Sequence, residues 1–332
     1  MSIFKRTHRY PRSANILKSS IPTGRSIYRF VALDLDGTTL NTKHQLSKRN
    51  IAAIRSMVEK GVGVAIATGR SMSGIYEHLE TLQLPYPIPV LCLNGALALK
   101  GTCDGKTQPL FTDPVPKDLV SQVVSLGQET GDMIQFYVDD KVYALPLNEE
   151  HQVLMKRYQV LTGHPQTQLR DVKELKSIGQ PAKILLLTND ADGLMEKAKN
   201  RFGNKLHLVR GSPEPFFVEF LQKGVCKGTG LLKLCQVEKI DPSSIVAFGD
   251  GDNDMEFLQN AGFGIAMKNA REVTKDKADM VLPYTNDQDG VGRQIEDMLS
   301  EGSLVGCDNL DNGHSLEVSK TKQFEHKTAM MK

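Results

Sequence analysis

The stretch RFVALDLDGTTLN, residues 29–41, decides the fold that this sequence predicts. An apolar run at residues 30–33 is typical of a buried strand, and two aspartates, Asp34 and Asp36, follow it, with Gly37 directly after. Side chains two residues apart in a strand lie on the same face, so the two carboxylates repel each other unless a cation or a proton lies between them. The glycine allows a sharp turn, after which backbone amides can face an anion. Two interpretations remain open at this point: a magnesium site beside an acceptor for a phosphoryl group, and a solvated Asp-Gly turn.

Length and composition set outer limits on fold and function. A chain of 332 residues is long enough for two domains or for one domain with a large insertion. The formal net charge of +2 gives no argument for a nucleic-acid polymer as partner, and no apolar run approaches the roughly 20 residues that span a bilayer. Five cysteines without a CxxC pair argue against a disulfide framework and a structural zinc site. We therefore predict a cytoplasmic protein that binds no membrane, and the sequence predicts no oligomeric state.

The two ends of the chain differ from its middle. Residues 1–27 are basic, contain several serines and threonines, and include no acidic residue. This composition is typical both of an organellar transit peptide and of a disordered basic leader, and both interpretations remain open. The first would place the protein in a mitochondrion or a plastid. Residues 301–332 are polar and aperiodic, so they are predicted to be a disordered tail.

The middle of the chain alternates apolar runs with amphipathic helical patterns. Continuous apolar strands that alternate with such helices indicate a parallel sheet covered on both faces. This rhythm is interrupted, and the segment MIQFYVDDKVYALP, residues 133–146, instead predicts a hairpin. We predict an α/β fold with a Rossmann-like parallel-sheet core at residues 28–108 and 217–300. An α+β domain at residues 109–216 is inserted into that core.

Four polar motifs share one position, directly after the last apolar residue of a predicted strand. They are Asp34 with Asp36, Thr68-Gly69-Arg70, Asn94-Gly95, and Asp250. In a parallel sheet these strand ends lie along one edge, where open α/β folds bind their ligands. The motifs are therefore expected to converge on one crevice, although they are far apart in sequence.

The residue types in these motifs suit phosphoryl transfer. A carboxylate nucleophile divides the reaction through an aspartyl-phosphate, and a second carboxyl group serves as general acid and base. Magnesium neutralises the approaching anions, while a hydroxyl group and a lysine take the remaining phosphoryl oxygens. Lys227 is a candidate for that lysine, because a cation at a predicted helix start opposes the helix dipole unless an anion is close. Taken alone, a lysine at such a position is more often solvated, and the order of the other three motifs is what favours the functional interpretation.

These residues together resemble the haloacid dehalogenase superfamily, and most closely its Cof-like phosphatases, in which a large α/β cap is inserted between the second and third motifs. The resemblance covers about residues 29–299. The motifs that carry it are, in order, Asp34-Leu35-Asp36-Gly37-Thr38, Thr68-Gly69-Arg70, Lys227-Gly228 and Gly249-Asp250-Gly251-Asp252-Asn253-Asp254. The inserted domain is, by this resemblance, the cap.

The resemblance also implies a role for each matching residue. Asp34 is expected to be the nucleophile and a Mg²⁺ ligand, and Asp36 the general acid and base, with its backbone carbonyl also on the metal. Asp250 is expected to be the third protein ligand. Binding of the substrate phosphate is assigned to Thr68, Gly69, Lys227 and Asn253, and support of the site to Arg70, Asn94 and Asp254.

The function implied by the resemblance is a magnesium-dependent phosphatase of small phosphorylated metabolites, such as sugar phosphates, nucleotides or cofactor phosphates. The partner is then a small-molecule phosphate ester. A phosphomutase acting on a sugar phosphate shares this chemistry and remains open. A non-enzymatic phospho-acceptor domain is also an alternative, although a large insertion before the lysine has no place in it. Within the cap, Arg210 and Glu214 of the segment RGSPEPFFVEF are candidate specificity residues, and an ordinary connecting loop is the competing interpretation.

Overall fold

The computed structural model describes residues 26–163, 165–211 and 216–306. Within them the β-strands are β1 (Phe30–Leu33), β2 (Gly63–Ala67), β3 (Ile88–Cys92), β4 (Leu97–Gly101), β5 (Thr107–Thr112), β6 (Met133–Val138), β7 (Lys141–Leu145), β8 (Gln166–Gln168), β9 (Lys183–Leu187), β10 (Leu206–Arg210), β11 (Phe217–Gln222), β12 (Ile245–Gly249), β13 (Phe263–Ala266) and β14 (Met280–Val281). The α-helices are α1 (Lys48–Glu59), α2 (Tyr76–Leu82), α3 (Lys117–Thr130), α4 (Glu149–Thr162), α5 (Leu175–Ile178), α6 (Ala191–Phe202), α7 (Lys227–Glu238), α8 (Met255–Asn260), α9 (Glu272–Lys275) and α10 (Gly290–Ser300).

The strands form two sheets. The first has the order β14-β13-β12-β1-β2-β3-β4-β5, and its strands are parallel from β14 to β3 and antiparallel from β3 to β5. The second has the order β10-β11-β9-β6-β7-β8 and is antiparallel except for the β7–β8 pair. The predicted α/β class with a parallel-sheet core is therefore confirmed. The predicted hairpin is also confirmed, as β6 and β7.

Helices cover both faces of the first sheet, as its continuous apolar strands predict. Val31 of β1 belongs to a core cluster with Ile54 of α1 and Ile295 of α10. Ala32, the next residue of the same strand, packs on the opposite face in a cluster with Leu231 of α7. The alternation of side chains along β1 therefore places its end between two helical layers, so the residues that follow it emerge at the sheet edge.

The second sheet lies between its own helices and the first sheet. One of its faces packs in a cluster that includes Val123 of α3 and Phe202 of α6. The other face, with Leu185 and Leu187 of β9, packs in a cluster that includes Leu154 of α4 and residues of the first sheet. This second face is the one that meets the core.

The sheets place the two domain boundaries differently from the prediction. Strand β5 continues the first sheet to Thr112, although the predicted core segment ends at residue 108. Strand β11 belongs to the second sheet to Gln222, although the predicted core resumes at residue 217. Both shifts have the same cause, since the sheet to which a strand belongs is set by hydrogen-bond pairing, which leaves no mark in composition. The division into a core and an inserted cap stays a prediction.

The prediction of a disordered tail from residue 301 is wrong for residues 303–305. The backbone N–H of Tyr28 donates to the carbonyl of Ser303 at 2.8 Å, and the N–H of Val305 donates to the carbonyl of Tyr28 at 2.9 Å. Leu304 is only 3% exposed. One short bridge of this kind has no periodicity, so the sequence gives no signal for it. The remaining residues of the predicted tail and nearly all of the predicted leader lie outside the described residues.

Replacing Leu304 with Ala is expected to lower the free energy of unfolding by about 2–5 kcal/mol, because it removes a buried aliphatic side chain. Chemical denaturation measures this loss. Leu147→Ala is a matched control, since Leu147 is 59% exposed and its truncation leaves no cavity. Equal stability of the Leu304 variant and the natural chain would contradict the assignment of this segment to the core.

Among the described residues, no helix is long and apolar enough to cross a membrane.

Candidate active site

The carboxyl ends of four neighbouring parallel strands bring the polar motifs together. Strands β12, β1, β2 and β3 are adjacent in the sheet. Asp250 follows β12, Asp34 follows β1, Thr68 follows β2, and Asn94 lies in the turn after β3. The predicted convergence on one sheet edge is thus present in the fold. We call this edge, with the residues that the four motifs supply, the site edge.

A buried lysine joins two of the carboxylates at the site edge. The Nζ of Lys227, the first residue of α7, lies 2.5 Å from Oδ1 of Asp34 and 2.7 Å from Oδ1 of Asp254. All three residues are at most 3% exposed. A cation at a helix start opposes the helix dipole, so the two carboxylates account for its position. Although burial alone would lower the pKa of Lys227, the charges of Asp254 and Asp34 raise it, and the ammonium stays charged.

The surroundings of Asp34, the candidate nucleophile, disfavour its ionised form. Burial, and after it the negative charge of Asp254, raise the pKa of Asp34 well above its ordinary value in spite of Lys227. Burial and the charge of Asp254 also raise the pKa of Asp250 to about 6. Deprotonated carboxylates this close together are favoured only if further positive charge is available.

The acidic cluster has the donor set of a hard divalent cation. Asp34, Asp250 and Asp254 each offer a carboxylate oxygen, and these oxygens lie within 4.8 Å of one another. Oxygen-only donor sets of this kind suit Mg²⁺ or Ca²⁺. Both oxygens of Asp254 already accept hydrogen bonds, Oδ1 from Lys227 and Oδ2 from the backbone N–H groups of Asp250 and Gly251. Among the described residues, the oxygens of Asp250 accept only from the side chains of Thr38 and Asn269, the second at 3.4 Å, so Asp34 and Asp250 are the better ligands and Asp254 positions the loop. The residues present therefore fit a divalent cation.

The loop after β1 approaches Asp250 so closely that residue 37 must be glycine. Gly37 has a φ of +78°, a conformation that side chains with a Cβ disfavour. A Cβ at this position would lie 2.2 Å from Oδ2 of Asp250. The hydroxyl group of Thr38 then donates to Oδ1 of Asp250 at 2.9 Å, which fixes the carboxylate from the same loop. Asn269, after β13, donates from Nδ2 to the carbonyl of Gly37 at 2.7 Å.

Asp36 faces away from this cluster and binds Arg70. The Nε of Arg70 donates to Oδ2 of Asp36 at 2.7 Å and its Nη2 donates to Oδ1 at 2.5 Å, while Nδ1 of His44 lies 3.0 Å from Oδ1. Burial alone would raise the pKa of Asp36, but the hydrogen bonds and charge of Arg70 lower it. In this arrangement Asp36 is a carboxylate, suited to accept a proton. Action as a general acid requires that it first leave Arg70.

Asn94 connects the second motif to the fourth. Its Oδ1 accepts a hydrogen bond from Nδ2 of Asn253 at 2.8 Å, and its backbone N–H donates to the carbonyl of Thr68 at 3.0 Å. Asn94 has a φ of +55°, which asparagine tolerates better than most residues. A Cβ on Gly69 would lie 3.2 Å from Oδ1 of Asn94. The side chains of Asn94 and Asn253 and the backbone of Thr68 are thus held together at the site edge.

A family model described as haloacid dehalogenase-like hydrolase matches residues 31–295. The chain belongs to this family. The sequence-based predictions of this family and of an enzyme of the phosphatase class are therefore confirmed.

Known relatives of this haloacid dehalogenase-like hydrolase cover most of its length. The 5-amino-6-(5-phospho-D-ribitylamino)uracil phosphatase YwtE of Bacillus subtilis is 27% identical, over 81% of this chain and 98% of its own. The chloroplastic endoribonuclease YBEY of Arabidopsis thaliana is 25% identical over 81% of this chain, which spans only 46% of that protein. A haloacid dehalogenase-like hydrolase from Bacteroides thetaiotaomicron has a similar structure, with a TM-score of 0.70, 26% identity, and coverage of 82% of this chain and 99% of that one.

Of the two candidate specificity residues of the hydrolase, only Arg210 is described, and the side-chain hydrogen bonds that it makes are not with the site edge. Arg210, at the end of β10, binds Asp192 of α6 through two hydrogen bonds, from Nε at 2.8 Å and from Nη2 at 3.0 Å. This contact lies on the helix that covers the second sheet. Glu214 lies outside the described residues. A specificity role for either residue stays a prediction.

Sequence reasoning missed several residues that contact the site motifs of the hydrolase, including Asn269, His44, Lys183 and Glu219. Asn269 lies two residues after Met267, the last apolar residue of its segment, so a rule that selects the residue directly after a strand does not find it. His44 contacts Asp36 from a turn with a φ of +57°, and the sequence carries no motif for that contact. Lys183 and Glu219 lie on strands of the second sheet and pair across it, which only strand register reveals.

Proposed function

We propose that this hydrolase is a magnesium-dependent phosphatase that cleaves small phosphorylated metabolites through an aspartyl-phosphate on Asp34. The observation that carries the proposal is the position of Lys227, whose Nζ bridges Asp34 and Asp254 beside Asp250 at the end of the central strands. An ammonium group so placed favours the ionised form of Asp34, against the burial that disfavours it, and can bind the phosphoryl oxygens of an incoming ester.

The proposed reaction consists of two successive displacements at phosphorus. A carboxylate oxygen of Asp34 forms a bond to phosphorus while the ester bond to the leaving group breaks, and the leaving alkoxide takes a proton. Water then attacks the aspartyl-phosphate, which releases inorganic phosphate and restores Asp34. Asp34, Asp250 and the backbone carbonyl of Asp36 would hold Mg²⁺. When bound, the ion supplies positive charge that reduces repulsion between the carboxylate and the phosphoryl group.

Asp36 is proposed as the proton donor in the first step and the base in the second. Its pairing with Arg70 and His44 keeps the carboxylate ionised, as a general base must be, although the lowered pKa also makes it a weaker base while this pairing lasts. For the first role the hydrogen bonds between Arg70 and Asp36 must break. We propose that they break when the substrate binds beside Asp36. Thr68, Gly69 and Asn253 are proposed to hold the phosphoryl oxygens, with Arg70, Asn94 and Asp254 as support.

The substrate class is proposed to be small phosphate esters. The Bacillus subtilis relative is named for the phosphate ester of a ribityl compound, which makes polyol phosphates a natural first group to assay. The activity named for the Arabidopsis thaliana relative is not proposed for this chain, because the alignment spans under half of that protein.

The full chain is expected to release inorganic phosphate from a panel of sugar phosphates, polyol phosphates, nucleotides and p-nitrophenyl phosphate. A chelator should abolish the release, Mg²⁺ should restore it, and Ca²⁺ should restore it poorly, since Ca²⁺ prefers a larger and less regular coordination shell. Phosphate release and sugar-phosphate rearrangement are both measured, because a mutase would rearrange without release. Full activity after exhaustive removal of metal would contradict the metal requirement, and no release from any ester would contradict the proposed function.

A further inference from the structure

An ion pair of the second sheet reaches the site edge from the opposite side. Lys183 of β9 and Glu219 of β11 lie 2.9 Å apart, Nζ to Oε1, and they are 1% and 7% exposed. The Nζ of Lys183 also lies 3.5 Å from the carbonyl oxygen of Gly69, and Oε2 of Glu219 lies 3.4 Å from Nδ2 of Asn94. Asn94 in turn binds Asn253. The pair therefore contacts two of the loops that carry the site residues.

The position of this pair is not explained by the stability of the fold. The face of the sheet around it is mostly apolar, with Leu185, Leu187 and Leu221 fully buried, although Gln135 of β6 lies on the same face opposite Leu185. A buried ion pair loses its hydration, and well-packed apolar residues of similar volume are often equally or more stabilising in its place. A charged pair at this one point, directly over the site edge, therefore indicates a function that apolar residues cannot provide, such as binding a polar ligand group.

The contacts that the pair makes with the site edge are weaker than the contact within the pair. The hydrogen bond within the pair is short, whereas the two contacts to Gly69 and Asn94 are at the upper limit for hydrogen bonds. The ammonium of Lys183 has three donors, of which one is used in the pair and one side faces the ring of Tyr137 at 4.4 Å. A ligand group at the site edge can therefore replace the long contacts while the pair stays intact.

We propose that Lys183 and Glu219 bind the leaving group of the phosphate ester, and that this leaving group carries neighbouring hydroxyl groups, as in sugar and polyol phosphates. This inference rests on the proposed function. The ammonium only donates and the carboxylate only accepts, whereas a hydroxyl group does both, so two neighbouring hydroxyls satisfy the pair together with the amide of Asn94. A second anionic group on the leaving group would be repelled by the carboxylate of Glu219. An apolar leaving group would displace the contacts to Gly69 and Asn94 without offering hydrogen bonds in their place, which is costly in a buried site.

The test compares two substrate ratios in the full-length enzyme. The first is kcat/KM for the best sugar or polyol phosphate divided by kcat/KM for p-nitrophenyl phosphate. The second is kcat/KM for glucose 6-phosphate divided by that for 2-deoxyglucose 6-phosphate. In Lys183→Met and in Glu219→Gln the first ratio is expected to fall about 10- to 100-fold, the range for loss of one hydrogen bond to a charged group. The second ratio should move toward one.

A double variant and a matched control separate binding from folding. Lys183→Met with Glu219→Leu replaces the pair by apolar residues, so its thermal midpoint is expected to equal or exceed that of the natural chain while the first ratio still falls. Arg201→Met and Glu129→Gln break a second ion pair of the same sheet's helices, with Nη2 and Oε1 at 2.8 Å, and both ratios are expected to stay unchanged. If the single variants fold poorly, the double variant gives the same readout.

The outcomes distinguish this inference from the function on which it rests. If the natural enzyme cleaves esters and the variants keep both ratios, the hydroxyl-binding role is wrong and the phosphatase proposal stands. The same conclusion follows if the ratios of the control variants fall as far as those of the pair variants. If the natural enzyme releases phosphate from none of the esters, the proposed function fails, and the inference fails with it.

Discussion

Asp34→Asn is expected to reduce phosphate-ester turnover by about 10⁴-fold or more, because the amide cannot attack phosphorus and nothing else at the site edge replaces the lost nucleophile. The fold is expected to stay intact. Burial and the charge of Asp254 raise the pKa of Asp34, which means that the folded protein disfavours the ionised form. The neutral amide removes that unfavourable charge and still accepts a hydrogen bond from Lys227. The thermal midpoint should therefore be equal or higher.

Steady-state phosphate release and thermal unfolding of the same preparation check both parts of this expectation. Acid quenching during turnover of a phosphate-labelled ester should trap label on the natural protein and none on the variant. Asp104→Asn is a suitable control, since Asp104 lies in the exposed turn between β4 and β5 and pairs with Lys106. A folded Asp34 variant with more than about one hundredth of the natural turnover would rule out Asp34 as the nucleophile.

The core and the site edge were predictable because each depends on local patterns. Asp34, Thr68, Asn94 and Asp250 each end an apolar run, and the rule that parallel strands end at one edge then places them together. The rule does not reach Asn269, which binds the carbonyl of Gly37 but lies two residues beyond the last apolar residue of its segment, Met267.

The features that were not predictable depend on register and side-chain direction. Glu219 follows the alternation of β11 like an ordinary strand residue, and its pairing with Lys183 depends on the alignment of β9 with β11. The direction of Asp36 toward Arg70 depends on a rotamer, although both residues stood in the predicted motifs. Leu304 shows the same limit for the fold, since one backbone bridge to Tyr28 orders a segment that composition assigns to disorder.

Lys227→Met is expected to weaken both the fold and the catalysis, for one electrostatic reason. In the natural chain Lys227 is the cation that binds Asp34 and Asp254, and all three side chains are buried. Removing one partner of a buried charge pair leaves the carboxylates unpaired, which is expected to lower the free energy of unfolding by about 3–5 kcal/mol. Loss of one preorganised donor to the phosphoryl oxygens is expected to reduce kcat by about 10²- to 10³-fold.

A second substitution separates these two effects. In Lys227→Met with Asp254→Asn the charge left unpaired on Asp254 is also removed, so most of the lost stability is expected to return, while kcat stays low because the ammonium is still missing. If kcat returned together with stability, Lys227 would be a structural residue only.

Binding of Mg²⁺ tests the effect of the Lys227 charge independently of kcat. Without the ammonium, Asp34, Asp250 and Asp254 form a cluster with no cation of its own, so Mg²⁺ should bind Lys227→Met more tightly than the natural chain and raise its thermal midpoint by more. Titration calorimetry and thermal unfolding with and without Mg²⁺ measure both changes. Weaker Mg²⁺ binding in the variant would show that Lys227 orients the carboxylates for the metal, and that its charge does not compete with the ion. That result would contradict the proposal that Lys227 binds the phosphoryl group while the acidic residues bind the metal.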